Sequence, residues 1–158
     1  MTQAINEQIN KELFSGYLYK SMAVYAASES LNGTAKWMNI QEGEERAHAQ
    51  KFMDYLLDQG EQVVLGAISQ PETKFTGLKD LFDKTLAHEK FVTASIKSLA
   101  DLAAKEGDHA TTIALQWFIT EQIEEEKNAT EVLAKLKMIG TSTGGLYMLD
   151  RELGKRSV

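Results

Sequence analysis

The chain has no cysteine and a single proline, Pro71, among its 158 residues. Without thiols there is neither a disulfide framework nor a thiolate metal site, so any metal must be held by oxygen and nitrogen. With one proline, helix breakers are almost missing. No segment approaches the roughly 18 uninterrupted apolar residues of a membrane span. The opening MTQAINEQINKELF lacks a basic stretch followed by an apolar one, so no export signal is expected. The expectation is a soluble, cytoplasmic protein that does not enter a membrane. Positive charge is also in deficit, with 17 Lys and Arg against 23 Asp and Glu and a net charge of -6. That balance disfavours nucleic acid as a partner and favours cations. The length suits one domain with a sizeable core.

What the chain does have is periodicity. Its apolar residues recur at three and four positions rather than two, which predicts helices almost throughout. The first is expected over about 2–31, ending at the turn signal Asn32-Gly33, and the second over 34–60 with Thr34 as N-cap. The others are expected over 78–105, 109–139 and 143–154. Between the second and third lies EQVVLGAISQPETKFTG, which breaks the helical pattern and holds the only proline. In extended form it reaches roughly 50 Å, enough to run the length of a helix of roughly 40 Å and to join two helices pointing the same way. The architecture predicted is all-α: a four-helix bundle with one long crossover and a short fifth helix, carrying Leu146, Leu149 and Leu153 on one side.

Each long helix has an apolar stripe, and each stripe is interrupted by acids or their amides. Ile5, Ile9, Gly16, Tyr19, Ala23 and Ala26 surround Glu12; Trp37, Gln41, Phe52 and Tyr55 surround Glu45 and His48. Phe82, Thr85, Val92, Ile96, Leu99 and Ala103 surround Glu89; Leu115, Phe118, Ala129, Val132 and Leu136 surround Gln122 and Glu125. Four ionised carboxylates inside an apolar core are costly unless neutralised, and a metal centre neutralises them. Oxygen-rich ligands with one imidazole suit iron or manganese better than tetrahedral zinc. Glu45 and His48 stand one turn apart and can share an ion.

Weaker signals stand beside this one. Glu-x-x-His arises by chance in a glutamate-rich chain, and Glu106 with His109 repeats it across a helix break. His88 points off its stripe, as a solvated or supporting histidine does. A single stripe acid can extend to solvent, but four coincident interruptions are hard to explain that way. Counted from the expected Asn32-Gly33 turn, Glu12 and the Glu45-His48 pair differ in level by roughly 10 Å, which calls for stagger or a helix bulge.

The stretches NEQINKELFSGYLYKSM, EGEERAHAQKFMDYL, HEKF, LQWFITEQIEEEK and GLYMLDRELG, in this order, resemble the bacterial non-haem ferritins over nearly the whole chain. The resemblance implies a ferritin-like domain over 1–158 with one iron site at Glu12, Glu45 and His48 and a second at Glu45, Glu89, Gln122 and Glu125. It further implies a third iron site at Glu44, Glu121 and Glu124, with Glu125 shared, and Tyr19 beside the pair. It implies an iron-storage ferroxidase that oxidises Fe(II) with O2 or hydrogen peroxide, as a homo-oligomeric shell of 24 copies. Haem is not expected: the haem-containing relatives carry a second Glu-x-x-His on the fourth helix, where this chain has Gln122 and Glu125, and a methionine where it has Arg46. A diiron oxidase of another substrate and a non-catalytic bundle with a register-setting polar layer are the alternatives.

Overall fold

The structure, a computed structural model, describes residues 1–157 and contains five helices. These are α1 (Thr2–Ser28), α2 (Asn32–Asp58), α3 (Leu78–Glu106), α4 (His109–Ile139) and α5 (Thr143–Leu153). There is no strand among the described residues. The four long helices form the bundle and α5 packs across one end of it. Asp108 caps α4 by accepting from the Thr111 amide at 2.9 Å, and the Ser142 hydroxyl caps α5 by accepting from the Gly145 amide at 3.1 Å. Gly60 and Gly107 take the left-handed conformation just past α2 and α3, where glycine carries no Cβ penalty.

The first turn is not where Asn32-Gly33 suggests. α1 stops at Ser28, Ser30 takes the left-handed conformation at φ 62°, and the Leu31 amide donates to Ala26 O at 2.9 Å, a helix-ending bond of the Schellman type. Asn32 and Gly33 belong to α2, and Thr34 is not its N-cap. Gly33 is required for packing instead of turning: a Cβ there would stand 1.7 Å from the carbonyl oxygen of Asp150. The Asp150 carboxylate accepts from the Gly33 amide at 3.0 Å and from the Thr34 amide and hydroxyl at 2.8 Å each, so α5 caps α2 from outside the helix.

Moving the turn removes the difference in level. Glu12 lies about 16 positions before the last residue of α1, and His48 the same number after the first residue of α2. Neither a bulge nor extra stagger is needed, and both helices are regular throughout.

Residues 59–77 form the crossover and run the length of α1. Asn6 accepts from the Val64 amide at 2.7 Å and Asn10 from the Gly66 amide at 3.0 Å; further along, the Ser21 hydroxyl donates to Glu72 O at 2.6 Å and Phe75 packs on Tyr25. α2 and α3 therefore point the same way. The apolar core is in two parts. One holds Tyr19, Met22, Trp37, Met38, Phe82, Leu136, Leu149 and Leu153; the other holds Ile5, Ile9, Phe52, Leu56, Ile96, Leu99, Leu115 and Phe118. Between them lies one buried polar layer.

Candidate metal centre

All six residues expected around the dinuclear position, Glu12, Glu45, His48, Glu89, Gln122 and Glu125, are buried, as is Tyr19. One comes from α1, two from α2, one from α3 and two from α4. Their levels agree because each helix pair turns back over a short connection, which puts the middles of all four helices at one height.

Glu12, Glu45 and His48 offer ligand atoms within 4.8 Å of one another, and so do His48, Glu121 and Glu125. His48 Nδ1 stands 3.4 Å from Glu45 Oε2. Two buried oxygens, Glu12 Oε2 and Glu45 Oε2, have no hydrogen-bond partner. A buried acceptor left unpaired costs about 1–3 kcal/mol, more for a charged group, so two of them side by side mark a place where a cation belongs.

The other carboxylate oxygens are held. Gln8 Nε2 donates to Glu12 Oε1 at 2.8 Å, and Gln41 Nε2 donates to Glu125 Oε2 at 2.6 Å. The Tyr19 hydroxyl donates to Glu89 Oε1, and Gln122 Nε2 donates to Glu89 Oε2 at 3.1 Å and to Glu89 O at 3.2 Å. Glu12 and Glu125 are thus each fixed through one oxygen by an amide. Both amides have a defined direction. Gln8 Oε1 accepts from the Ser95 hydroxyl, which accepts from Lys11 Nζ at 2.7 Å, and Gln41 Oε1 accepts from Arg156. Sequence reading gave no role to Gln8, Ser95, Lys11, Gln41 or Arg156. Gln8 was accessible, one turn before Glu12 on the same face, and Gln41 already stood on its stripe.

Burial dominates the protonation of this layer. It pushes Glu12 up to about 7, with the neighbouring Glu89 adding to the rise and the Gln8 hydrogen bond opposing it. Burial and then Glu89 push Glu125 up to about 8, and burial followed by Glu12 raises Glu45 well above the usual carboxylate range. Burial also raises Glu89, and raises the Tyr19 phenol well above its ordinary value, so Tyr19 stays a hydrogen-bond donor. Burial, then Lys51, holds His48 down near 4. Its imidazole is neutral at pH 7 and available as a ligand. Raised carboxylates, only weakly opposed by Lys11 and Arg156, and a neutral histidine suit a divalent cation of the iron or manganese type.

The residues expected for a third position are less assembled. Glu121 reaches His48 and Glu125, while Glu44 and Glu124 stand outside that group. Glu44 Oε2 accepts from Arg156 Nη2 at 2.7 Å, and Glu124 is exposed. His88 is half-buried and bonded to the Ser15 hydroxyl at 2.7 Å, a supporting position rather than a solvated one. His109 is exposed, and Glu106 pairs instead with the N-terminal ammonium at 3.2 Å.

A Ferritin-like domain family model matches residues 2–139. The chain belongs to the ferritin-like family. It is 38% identical to a bacterial non-heme ferritin of Staphylococcus epidermidis, over 98% of this chain and 93% of that protein. It is also 38% identical to one from Campylobacter jejuni, over 96% of this chain and 90% of the other. Among solved structures, an open pore ferritin from the hyperthermophilic archaeon Archaeoglobus fulgidus superposes with a TM-score of 0.98 at 40% identity, covering 99% of this chain and 97% of that one. The all-α fold, a ferritin-like bundle with a short C-terminal helix, is thereby shown.

Proposed function

We propose that this ferritin-like chain stores iron and oxidises it on entry. Family membership supports iron storage. Two Fe(II) ions are the substrate, one bound by Glu12, Glu45 and His48 and the other by Glu45, Glu89, Gln122 and Glu125, with Glu45 shared. The observation that carries this reading is the pair of unpartnered buried oxygens on Glu12 and Glu45, beside a neutral His48.

Each Fe(II) gives up one electron, so a pair can pass two electrons at once to O2 or to hydrogen peroxide. The protein's part is arrangement. Gln8 and Gln41 hold one oxygen each of Glu12 and Glu125, and Tyr19 holds Glu89. Cation entry expels the protons that the raised carboxylates carry, and the resulting anions stabilise the oxidised charge. Fe(III) then passes to a mineral inside a cytoplasmic shell of 24 copies, and Glu44, Glu121 and Glu124 form a third iron position on its way.

Glu45→Ala and His48→Ala test this together. Each should bind fewer than two Fe(II) per chain in anaerobic calorimetry and lose rapid oxidation in stopped-flow absorbance, with assembly unchanged by size-exclusion chromatography. Wild-type stoichiometry and rate in either variant would remove the dinuclear assignment. No helix among the described residues is long and apolar enough to cross a membrane.

A further inference from the structure

Arg156 lies just past the end of α5, yet its guanidinium reaches the polar layer. Nη2 donates to Glu44 Oε2 at 2.7 Å, Nη1 donates to Gln41 Oε1, and the group lies over the Trp37 ring, 4.5 Å from its centroid. The pair is well shielded, with side-chain exposure of 18% for Arg156 and 27% for Glu44. The backbone leading to it is tied down as well. Asp150 caps α2, and Lys36 Nζ donates to Gly154 O at 2.9 Å. Arginine can only donate, so its bond fixes Gln41 Oε1 as the acceptor end and turns Gln41 Nε2 toward Glu125.

A stacked, charge-assisted arginine at a carboxylate that belongs to an acidic group is a cation already in place. Burial is the main cause that raises Glu44; Arg156 opposes it, and Glu121 and Glu124 lie close enough for their charge to add to the rise. A metal ion drawn to these three acids meets the guanidinium on Glu44 first. The two cannot both take full advantage of one carboxylate, because the bond geometry differs and the like charges repel.

We propose that Arg156 is a tethered counter-ion at the third metal position: it occupies Glu44 until a metal ion displaces it, and so keeps that position weaker than the buried pair. The inference rests on the assignment of Glu44, Glu121 and Glu124 to a third site. It accounts for Glu44 standing outside both ligand groups in the metal-free chain. It also gives the position a direction of exchange, since the returning guanidinium helps to release the metal.

The test uses the assembled, metal-free protein in calorimetric titration with Zn(II), a redox-inert probe, and with Fe(II) under anaerobic conditions. Wild type should bind two equivalents tightly and a third more weakly. Arg156→Ala should tighten the third roughly tenfold, the size expected for losing a competing charge-assisted bond at a partly shielded site, and change the first two less. Arg156→Lys should fall between. An unchanged or weaker third equivalent in Arg156→Ala, with the first two intact, overturns the inference alone; a wild type without two tight equivalents overturns the dinuclear reading and this inference with it.

A second measurement leaves Arg156 in place. The chain has two tryptophans, so Trp117→Phe leaves Trp37 as the only reporter. Its emission should stay constant through two equivalents of Zn(II) and change with the third, as the guanidinium leaves the ring. Constant emission through the third equivalent means that no displacement occurs, and the inference fails.

Discussion

Replacing Glu125 with glutamine should make the metal-free protein more stable at neutral pH, and the gain should depend on pH in a defined way. Glu125 is held near 8 in the folded chain, against 4.5 for the free side chain, chiefly by burial and secondly by Glu89. The folded protein keeps this proton to a higher pH than the unfolded chain does. Folding therefore takes up a proton between pH 4.5 and 8, and stability falls as pH rises through that window. At about 1.4 kcal/mol per tenfold change, the loss reaches about 3 kcal/mol at pH 7 and about 5 kcal/mol above pH 8. Glutamine keeps the oxygen that accepts from Gln41 and never ionises, so Glu125→Gln removes this dependence. His48 and His88, both held near 4 by burial, act in the opposite sense below pH 6.5, but equally in both proteins, and cancel in the comparison. The assay is urea unfolding with a chelator present, at one protein concentration because the proposed assembly would also contribute to stability. The variant's advantage should be near zero at pH 4.5 and grow steadily to pH 8. Two equivalents of Fe(II), added without oxygen, should reverse the order. Profiles that stay parallel from pH 5 to 9 would refute the reasoning, since Glu125 would then be as easily ionised inside the fold as outside it.

Tyr19→Phe takes the hydroxyl from Glu89 and leaves that oxygen unpaired, which should cost about 1–3 kcal/mol in the metal-free protein and slow the first Fe(II) oxidation in rapid mixing. An unchanged rate and melting temperature would show that Tyr19 does not position Glu89. Gly33→Ala drives a Cβ into Asp150, so α5 has to move; a loss of roughly 3 kcal/mol or more is expected, seen as a lower melting temperature, and an unaltered melting curve would contradict the close approach. Gln122→Glu places a second carboxylate against Glu89, where an amide now donates at 3.1 Å. It should hold Fe(III) more tightly and slow every turnover after the first in repeated stoichiometric Fe(II) additions; equal recovery of the fast phase would show that charge at this position does not control release.

The bundle and its polar layer were legible because both are periodic. A carboxylate that interrupts an apolar stripe is visible one helix at a time, and four such interruptions imply a shared layer without any knowledge of contacts; only the height of Glu12 against Glu45 and His48 was misjudged, because the first turn was. The turn was misplaced because Asn32-Gly33 has two physical meanings. The pair suits a tight turn, and a glycine equally suits a close helix contact, here with Asp150 more than a hundred positions away in the chain. The actual turn uses Ser30 in a conformation that local composition does not favour. The amides that orient Glu12 and Glu125 were half visible, since Gln8 and Gln41 sit at helical spacing on the right faces. Arg156 was not, because it arrives from beyond the last helix and no periodicity links it to α2. Gly43 lies inside α2 with nothing near it in the chain, and the structure does not explain it.

A layer of acids across the middle of a core weakens a bundle unless something neutralises it, and in the proposed function protons and divalent cations alternate in that role. In the metal-free chain protons do the work: burial raises Glu12, Glu45, Glu89 and Glu125 together, and each proton retained lowers the repulsion felt by its neighbours. A proton retained on Glu45 can bridge to Glu12, but without it two buried oxygens stand unpartnered, so the layer is tolerated rather than optimal. Tolerance is possible because the apolar clusters on either side are complete in themselves, Ile5 to Phe118 below and Tyr19 to Leu153 above. Neither cluster needs the layer to close, so the exchange of protons for divalent cations that the proposed function requires need not unfold the helices that carry the layer. A centre with carboxylates held near their ordinary range would bind metal with less proton release, but it would also hold four negative charges in an empty core. Protons retained by the layer spare the bundle the larger cost of four buried charges, and their release makes cation entry more favourable as pH rises through 7 and 8.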